Sequence, residues 1–222
     1  MKQETKHAYV FPDPVALVTV AGRKGGANIV TLAWVGMACS DPRCVTIAIR
    51  PSRYSNTLLK AAGEFCLNIP GRELVRETDH CGVVSGRDHD KWAETGLTPE
   101  PSEHIAAPRI SQCRFALECT VIETVSLGAH DLFVGRVEGA YIDPSVLDES
   151  GKVDYTKLDP MAYLPDQYWS LGERIYGSCE SKTKPESPPG RPGSRDTRPE
   201  RAGPKRRRGA APPAPRRSRT AA

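Results

Sequence analysis

The sequence predicts a mainly β domain that closes, fully or in part, into a barrel, carries only short helices and ends in a disordered tail. Three observations lead there. Apolar residues alternate along short stretches separated by Gly- and Pro-bearing turns, the pattern of strands with one face in a core. Two longer alternating stretches flank Gly128 and read as a hairpin. Helical periodicity is confined to short segments, and many short strands favour closure because a barrel leaves no open sheet edge. A chain of 222 residues suits one such domain with an appendage.

From the N-terminus, Pro14 to Ala21 reads as a buried strand closed by the turn Gly22-Arg-Lys-Gly-Gly26, and Asn28 to Val35 as its returning partner. Cys44 to Arg50 alternates cleanly, with Val45, Ile47 and Ile49 on one face. Ser55 to Ala62 reads as a short helix with Ser55 or Asn56 as its N-cap. Glu64 to Ile69 is a further strand stopped by Pro70-Gly71, and Arg72 to Cys81 and Asp88 to Glu94 read as short helices. Phe115 to Val125 pairs with Asp131 to Ile142, placing Phe115, Leu117, Cys119, Val121 and Val125 on one face. Asp143 to Pro165 is loop-rich, and Tyr168-Trp-Ser-Leu-Gly172 adds an aromatic surface suited to packing or to a partner subunit.

Charge divides the chain near residue 180. Residues 181–222 carry 13 Lys+Arg against 3 Asp+Glu, nine prolines and no Val, Ile, Leu, Met, Phe, Tyr or Trp, leaving 18 basic and 24 acidic residues in 1–180. Ordering a residue costs on the order of 1–2 kcal/mol, which such a segment cannot offset by burial. A folded domain over 1–180 and a disordered tail over 181–222 are therefore expected. The cluster Lys205-Arg-Arg-Arg208 suits an electrostatic arm, while a solvated extension or an out-of-frame reading of a GC-rich gene end would share its composition. The acidic body argues against a nucleic-acid binder. No apolar run reaches 18 residues and the first seven lack the apolar core of a signal peptide, so a cytoplasmic protein is expected.

Seven cysteines with no C-x-x-C pair read as reduced thiols, several of them core residues on strands. Asp79-His80-Cys81 and Asp88-His89-Asp90 are the segments a metal would use, but such loops more often face solvent, and no metal is expected. The most informative stretch is Ala48-Ile-Arg-Pro-Ser-Arg-Tyr-Ser-Asn-Thr57. A strand delivers Arg50 to its end, a turn presents Ser52, Arg53, Tyr54 and Ser55, and a helix begins at once. Two guanidiniums, several hydroxyls and free amides at the positive end of a helix make an anion site suited to a phosphate monoester; a solvated, capped loop is the plainer alternative. Asn28 and Thr31 are polar residues in an otherwise buried strand and need partners or a ligand. Ser85-Gly-Arg-Asp-His-Asp-Lys91-Trp92 reads as a Gly-hinged loop ending in a lysine.

Taken in order, Asn28…Thr31…Trp34, Cys39-Ser-Asp-Pro42, Arg50-Pro-Ser-Arg-Tyr-Ser-Asn-Thr57 and Phe65-Cys-Leu-Asn-Ile69 resemble the flavin reductase-like family, particularly its flavoredoxin-type members. Ser85 to Lys91, Gly96-Leu-Thr-Pro99 and Leu132-Phe-Val-Gly135 are similar to that family's later blocks, so the resemblance spans roughly Tyr9 to Tyr176. It implies an FMN-binding split β-barrel working as a homodimer. By the same resemblance, Arg50, Ser52, Arg53, Tyr54, Ser55 and Thr57, entered from the strand at Ala48, would hold the FMN phosphate and ribityl chain. Asn28 and Thr31 would bond the isoalloxazine edge, and Lys91 would approach from a mobile loop.

Hydride acceptance would then belong to the flavin, so no catalytic side chain is nominated. No G-x-G-x-x-G follows a strand, so NAD(P)H would bind without a dinucleotide domain. The expected function is an FMN-binding oxidoreductase using NAD(P)H to reduce flavin for a partner such as a monooxygenase. An FMN-containing electron carrier reduced by another protein, and a binding module acting through the basic tail, are the alternatives.

Overall fold

The computed structural model describes residues 2, 4, 6, 8–22 and 25–175. One compact unit spans Met1–Glu173; of a second, Arg174–Ala222, only Arg174 and Ile175 are described, both exposed. The expected tail over 181–222, with its boundary, lies outside the described residues.

The first unit opens with β1 (Asp13–Pro14), β2 (Ala16–Ala21), β3 (Ala27–Leu32), β4 (Val35–Ser40) and β5 (Arg43–Ile49). Helix α1 (Tyr54–Ala62) leads to β6 (Glu64–Ile69), then α2 (Val75–Val83), α3 (Lys91–Thr95), β7 (Pro99–Glu100) and β8 (Arg109–Ile110). The long pair β9 (Phe115–Ser126) and β10 (Asp131–Ile142) precedes α4 (Tyr155–Leu158), β11 (Met161–Leu164) and β12 (Gln167–Ser170). Seven strands form one antiparallel sheet in the order β3-β2-β6-β9-β10-β5-β4.

Packing shows how that sheet rolls up. Strands β3 and β5 stand far apart in the order, yet Val30 of β3 and Val45 and Ile47 of β5 belong to one core with Val18, Phe65 and Phe133. A flat sheet could not bring them together; the fold is a split barrel with a few short helices outside. On the other face of β2 and β3, Leu17 and Ile29 pack with Cys81 of α2 and with Ile110 and Cys113. Strand β2 is thus buried on both faces, which is why its sequence reads as an unbroken apolar run. Two buried polar side chains tie the β7–β8 region to the sheet. Glu118 accepts from the Glu103 and His104 amides and from Arg109 Nη1, and Asn68 accepts from the Ile110 amide while donating to the Leu17 carbonyl.

Helix α1 is held from below. Asn56 Nδ2 donates to Asp131 Oδ2 at 2.9 Å and to the Ile49 carbonyl at 3.2 Å. Lys60 Nζ lies 2.7 Å from Asp131 Oδ2, and Ser126 Oγ donates to Asp131 Oδ1 at 2.8 Å. Hydrogen bonds from Lys60, then Asn56 and Ser126, hold the Asp131 carboxyl down at about 2.

Several expectations are corrected. Asn28 to Val35 is not one strand: it breaks at Ala33-Trp34, and β4 begins there, unread because most of its residues are exposed and show no alternation. Neither Ser55 nor Asn56 caps α1; both are buried within its first turn, and Arg53 occupies the cap position without a side-chain bond. The third helix starts at Lys91 rather than Asp88, with Asp90 accepting from the Ala93 amide as its cap. Register shifts in the β9–β10 pair break the alternation, leaving Val125 exposed. The loop-rich stretch from Asp143 conceals β11, which pairs with both β1 and β12. Burial pushes the Cys81 thiol up to about 11 and those of Cys113 and Cys119 up to about 12, so these are core groups with little thiolate.

Gly135 has no room for a side chain: a Cβ there would lie 2.6 Å from the buried Phe65 ring and 3.1 Å from Cys119 Cβ. Gly135→Ala is expected to cost about 1–3 kcal/mol through overpacking, read as a lower urea midpoint at unchanged slope. Asp131→Asn should lower stability at neutral pH. Because the folded carboxyl titrates near 2 and an unfolded one near 4, its contribution is complete above the unfolded value and fades as pH falls through the folded one. Urea melts between pH 7 and 2 should therefore show the gap between the two proteins closing below pH 4.

Candidate functional site

Three adjoining cavities meet at the N-terminal end of α1. The inner one, about 270 Å³, is walled by Ser52, Arg53, Tyr54 and Ser55 from the β5–α1 corner, by Asn28 of β3, and by the Gly86-Arg87-Asp88 loop between α2 and α3. It shares Asn28, Tyr54, Gly86, Arg87, Asp88 and Lys91 with an outer cavity of about 710 Å³ that reaches Gly26, Ala27, Thr57 and His89. On its other side, Arg53 and Gly82 are common to a third cavity of about 370 Å³, bounded by Trp34, His130, Tyr163 and Tyr168.

The electrostatics of the inner cavity follow from its elements. Helix α1 has no side-chain cap and no acidic residue in its first turn, so its positive end is left to whatever lies in front of it. Its two would-be caps have been drawn into the protein: Asn56 onto Asp131, and Ser55 onto Asn28, whose Nδ2 donates to Ser55 Oγ at 2.7 Å. Having accepted that bond, the Ser55 hydroxyl keeps its own proton to give. Arg87 lies over the Tyr54 ring, 5.4 Å from its centroid, and adds a second guanidinium beside Arg53. Asp88 is the one carboxylate on the wall of this cavity, against Arg53, Arg87 and Lys91. The loop can come down this close because residue 86 is glycine; a Cβ there would lie 1.9 Å from Asn28 Oδ1.

The ten residues singled out from sequence are distributed over this region. Asn28, Ser52, Arg53, Tyr54, Ser55 and Lys91 line the inner cavity. Thr57 faces only the outer one, and Thr31, Ala48 and Arg50 face the third. Three residues apart on β3, Asn28 and Thr31 point to opposite faces of the strand. Thr31 Oγ1 donates instead to the Thr78 carbonyl of α2. Lys91 is not carried by a mobile loop: it is the buried first residue of α3, its Nζ donating to the Ile29 carbonyl at 2.8 Å and the Cys81 carbonyl at 2.7 Å. Burial, foremost, holds its pKa below the usual lysine range.

The third cavity is aromatic. Trp34 and His130 rings lie 4.6 Å apart, and burial, then Arg50, holds the His130 pKa below the usual imidazole range. Burial and then the Asp79 carboxylate raise the Tyr168 phenol, so it stays protonated. Arg87, His130, Tyr163 and Tyr168 were not nominated from sequence. Arg87 and Tyr168 stood in segments already noticed, Tyr168 as part of an aromatic surface read for packing or a partner subunit. Among the described residues no group of three or more His, Cys, Asp or Glu is arranged to hold a metal ion, and His80 and His89 both bond Glu94.

Comparison with known proteins agrees with this architecture. The chain spans 82% of its length against all of flavoredoxin from Desulfovibrio vulgaris (Miyazaki F), with a TM-score of 0.77 and 31% identity. Against flavoredoxin from Methanosarcina acetivorans the TM-score is 0.75 at 30% identity, covering 82% of this chain and 97% of the other. An uncharacterized protein of Pyrococcus abyssi is 33% identical over 168 residues, 75% of this chain and 95% of that one. Residues 8–172 match the flavin reductase like domain, and the chain belongs to that family.

Proposed function

We propose that this protein is a flavin-dependent oxidoreductase that holds FMN by its phosphate at the β5–α1 corner. One observation carries the reading: an uncapped helix N-terminus, two guanidiniums and a hydroxyl with a proton to spare converge on one small cavity. The residues present fit a phosphate monoester, because the cations outnumber the single carboxylate and Gly86 lets backbone close over the site. Arg53, Arg87, Ser52, Ser55 and the first amides of α1 would bind the phosphate. The ring would lie toward the aromatic walls of the third cavity, where Trp34, His130 and Tyr168 offer flat surfaces and exclude water. Bound FMN supplies hydride acceptance, and the chain's own groups bind, orient and shield. Asp131 acts at one remove, by fixing Asn56 and with it the direction of α1.

NAD(P)H is the proposed donor and a flavin-dependent partner enzyme the proposed acceptor, in a cytoplasmic homodimer; among the described residues no helix is long and apolar enough to cross a membrane. The exposed strand β4 at the end of the sheet, with Met37 open to solvent, supports association with a second copy. The likeness to flavoredoxins favours a second reading, a carrier that keeps FMN and is reduced by another protein. Anaerobic spectra separate the two: bleaching of the flavin bands by NADH or NADPH selects the reductase, and bands that persist select the carrier.

Arg53→Ala should weaken FMN at least roughly tenfold while leaving riboflavin, which has no phosphate, within about twofold. Titration by flavin fluorescence reads both constants, and equal losses for the two ligands would remove Arg53 from the phosphate corner.

A further inference from the structure

Away from the cavities, the hairpin between β4 and β5 brings two thiols together. Met37 pairs with Val45, and an unbroken register would next set Ala38 against Cys44. A register shift after Met37 sets Cys39 there instead, and Ser40 then pairs with Arg43 across the Asp41-Pro42 turn. Both sulfurs lean on that turn. Cys39 Sγ donates to the Asp41 carbonyl at 3.4 Å, and Cys44 Sγ to the Pro42 carbonyl at 3.3 Å. Residues directly opposite in an antiparallel pair have Cα atoms about 4.5 or 5.5 Å apart, within the span of about 4.4–6.8 Å that a disulfide bridges. Access separates the two, since Cys39 is exposed and Cys44 is buried. Cys66, Cys81, Cys113 and Cys119 are buried as well, and burial pushes their thiols up, so they offer an oxidant little thiolate.

We propose that Cys39 and Cys44 form a peroxide-responsive thiol pair, which closes to a disulfide on two-electron oxidation and reopens with a dithiol reductant. In the first step the Cys39 thiolate attacks one oxygen of hydrogen peroxide. An S–O bond forms, the O–O bond breaks, and the leaving hydroxide takes up the thiol's proton as water. In the second step the Cys44 sulfur attacks that of Cys39. An S–S bond forms, the S–O bond breaks, and hydroxide leaves with the Cys44 proton as a second water. Two thiols have lost two electrons and the peroxide has gained them. The roles follow from access: Cys39 meets the oxidant, and Cys44, screened from solvent, meets Cys39. The bond would tie β4, which pairs in the sheet with β5 alone, covalently to its neighbour. None of this depends on the flavin reading.

The test uses the full chain, purified under dithiothreitol, freed of it, and treated with hydrogen peroxide without added flavin. Free thiols are then alkylated in denaturant and the protein is digested with trypsin without reductant. Cleavage after Lys24, Arg43 and Arg53 places the two cysteines on separate peptides, 25–43 and 44–53, so the disulfide is read as their linked mass. The linked peptide should appear on peroxide treatment and be lost again with dithiothreitol. Cys44→Ser should stop at the Cys39 sulfenic acid, with dimedone labelling of peptide 25–43 at least roughly tenfold above the wild type. If circular dichroism shows that variant misfolded, the wild-type map decides alone. A treated wild type without the 25–43 to 44–53 link overturns the proposal, whether Cys39 is then unmodified, oxidised by itself or joined to another cysteine such as Cys179. A folded Cys44→Ser with no gain in label overturns it too.

Discussion

Two buried amide side chains govern this structure more than any feature of its surface. Asn56 is committed to Asp131 and the Ile49 carbonyl, and Asn28 to Ser55. Each bond removes from the start of α1 a polar group that would otherwise have folded back to cap it. A helix that opens on a turn holding Ser52, Ser55 and Asn56 would ordinarily satisfy its own leading amides. Here Ser55 and Asn56 face into the protein and Ser52 makes no cap, so the positive end of the helix remains open. The arrangement is costly unless every buried partner is satisfied, and here Asp131 collects bonds from three side chains on two elements, Asn56 and Lys60 of α1 and Ser126 of β9.

On the proposed reading, the same logic explains a division of labour between the cavities. Anion recognition needs charges that do not neutralise one another, so Arg53 and Arg87 stand where carboxylates are scarce, while the acidic residues that pair with cations elsewhere lie on other faces. Recognition of a planar ring needs stiff aromatic walls and few net charges. The third cavity gathers these from distant parts of the chain: Trp34 before β4, His130 before β10, and Tyr163 and Tyr168 from the β11–β12 hairpin.

How much of this could be read beforehand depended on sequence distance. Strand β5, with one regular buried face, and β6, a short run stopped by Pro70-Gly71, declared themselves, and β6 and β10 came out with their bounds unchanged. The β5–α1 corner was legible as a strand end, turn and helix start because Arg50 to Thr57 is contiguous. Strand β4 was not legible, since an edge strand with most residues exposed carries no alternation to see. His130 and Tyr168 could not be nominated either. Nothing local distinguishes a histidine in a hairpin turn or a tyrosine near a strand end from a surface residue until the roll of the sheet brings them opposite Arg50. The cap at Ser55 or Asn56 failed for the same reason, because the competing partners, Asn28 and Asp131, are 27 and 75 residues away.

Lys91 shows how a correct location can hide a different role. A lysine at the wall of an anion site suggests a flexible arm closing on its ligand. The structure gives its ammonium two backbone carbonyls and little access to solvent, from the first turn of a helix whose N-cap is Asp90. On the proposed reading, a side chain fixed in this way would lose little conformational entropy when a ligand arrives and would not need to reach for it. It also binds β3 to α2, since the two carbonyls come from Ile29 and Cys81. The Gly86–Arg87 loop is thereby stapled at its far end to the strand that carries Asn28. On the proposed reading the phosphate corner is preorganised from both sides: Asp131 holds the helix through Asn56 and Lys60, and Lys91 holds the end of the loop.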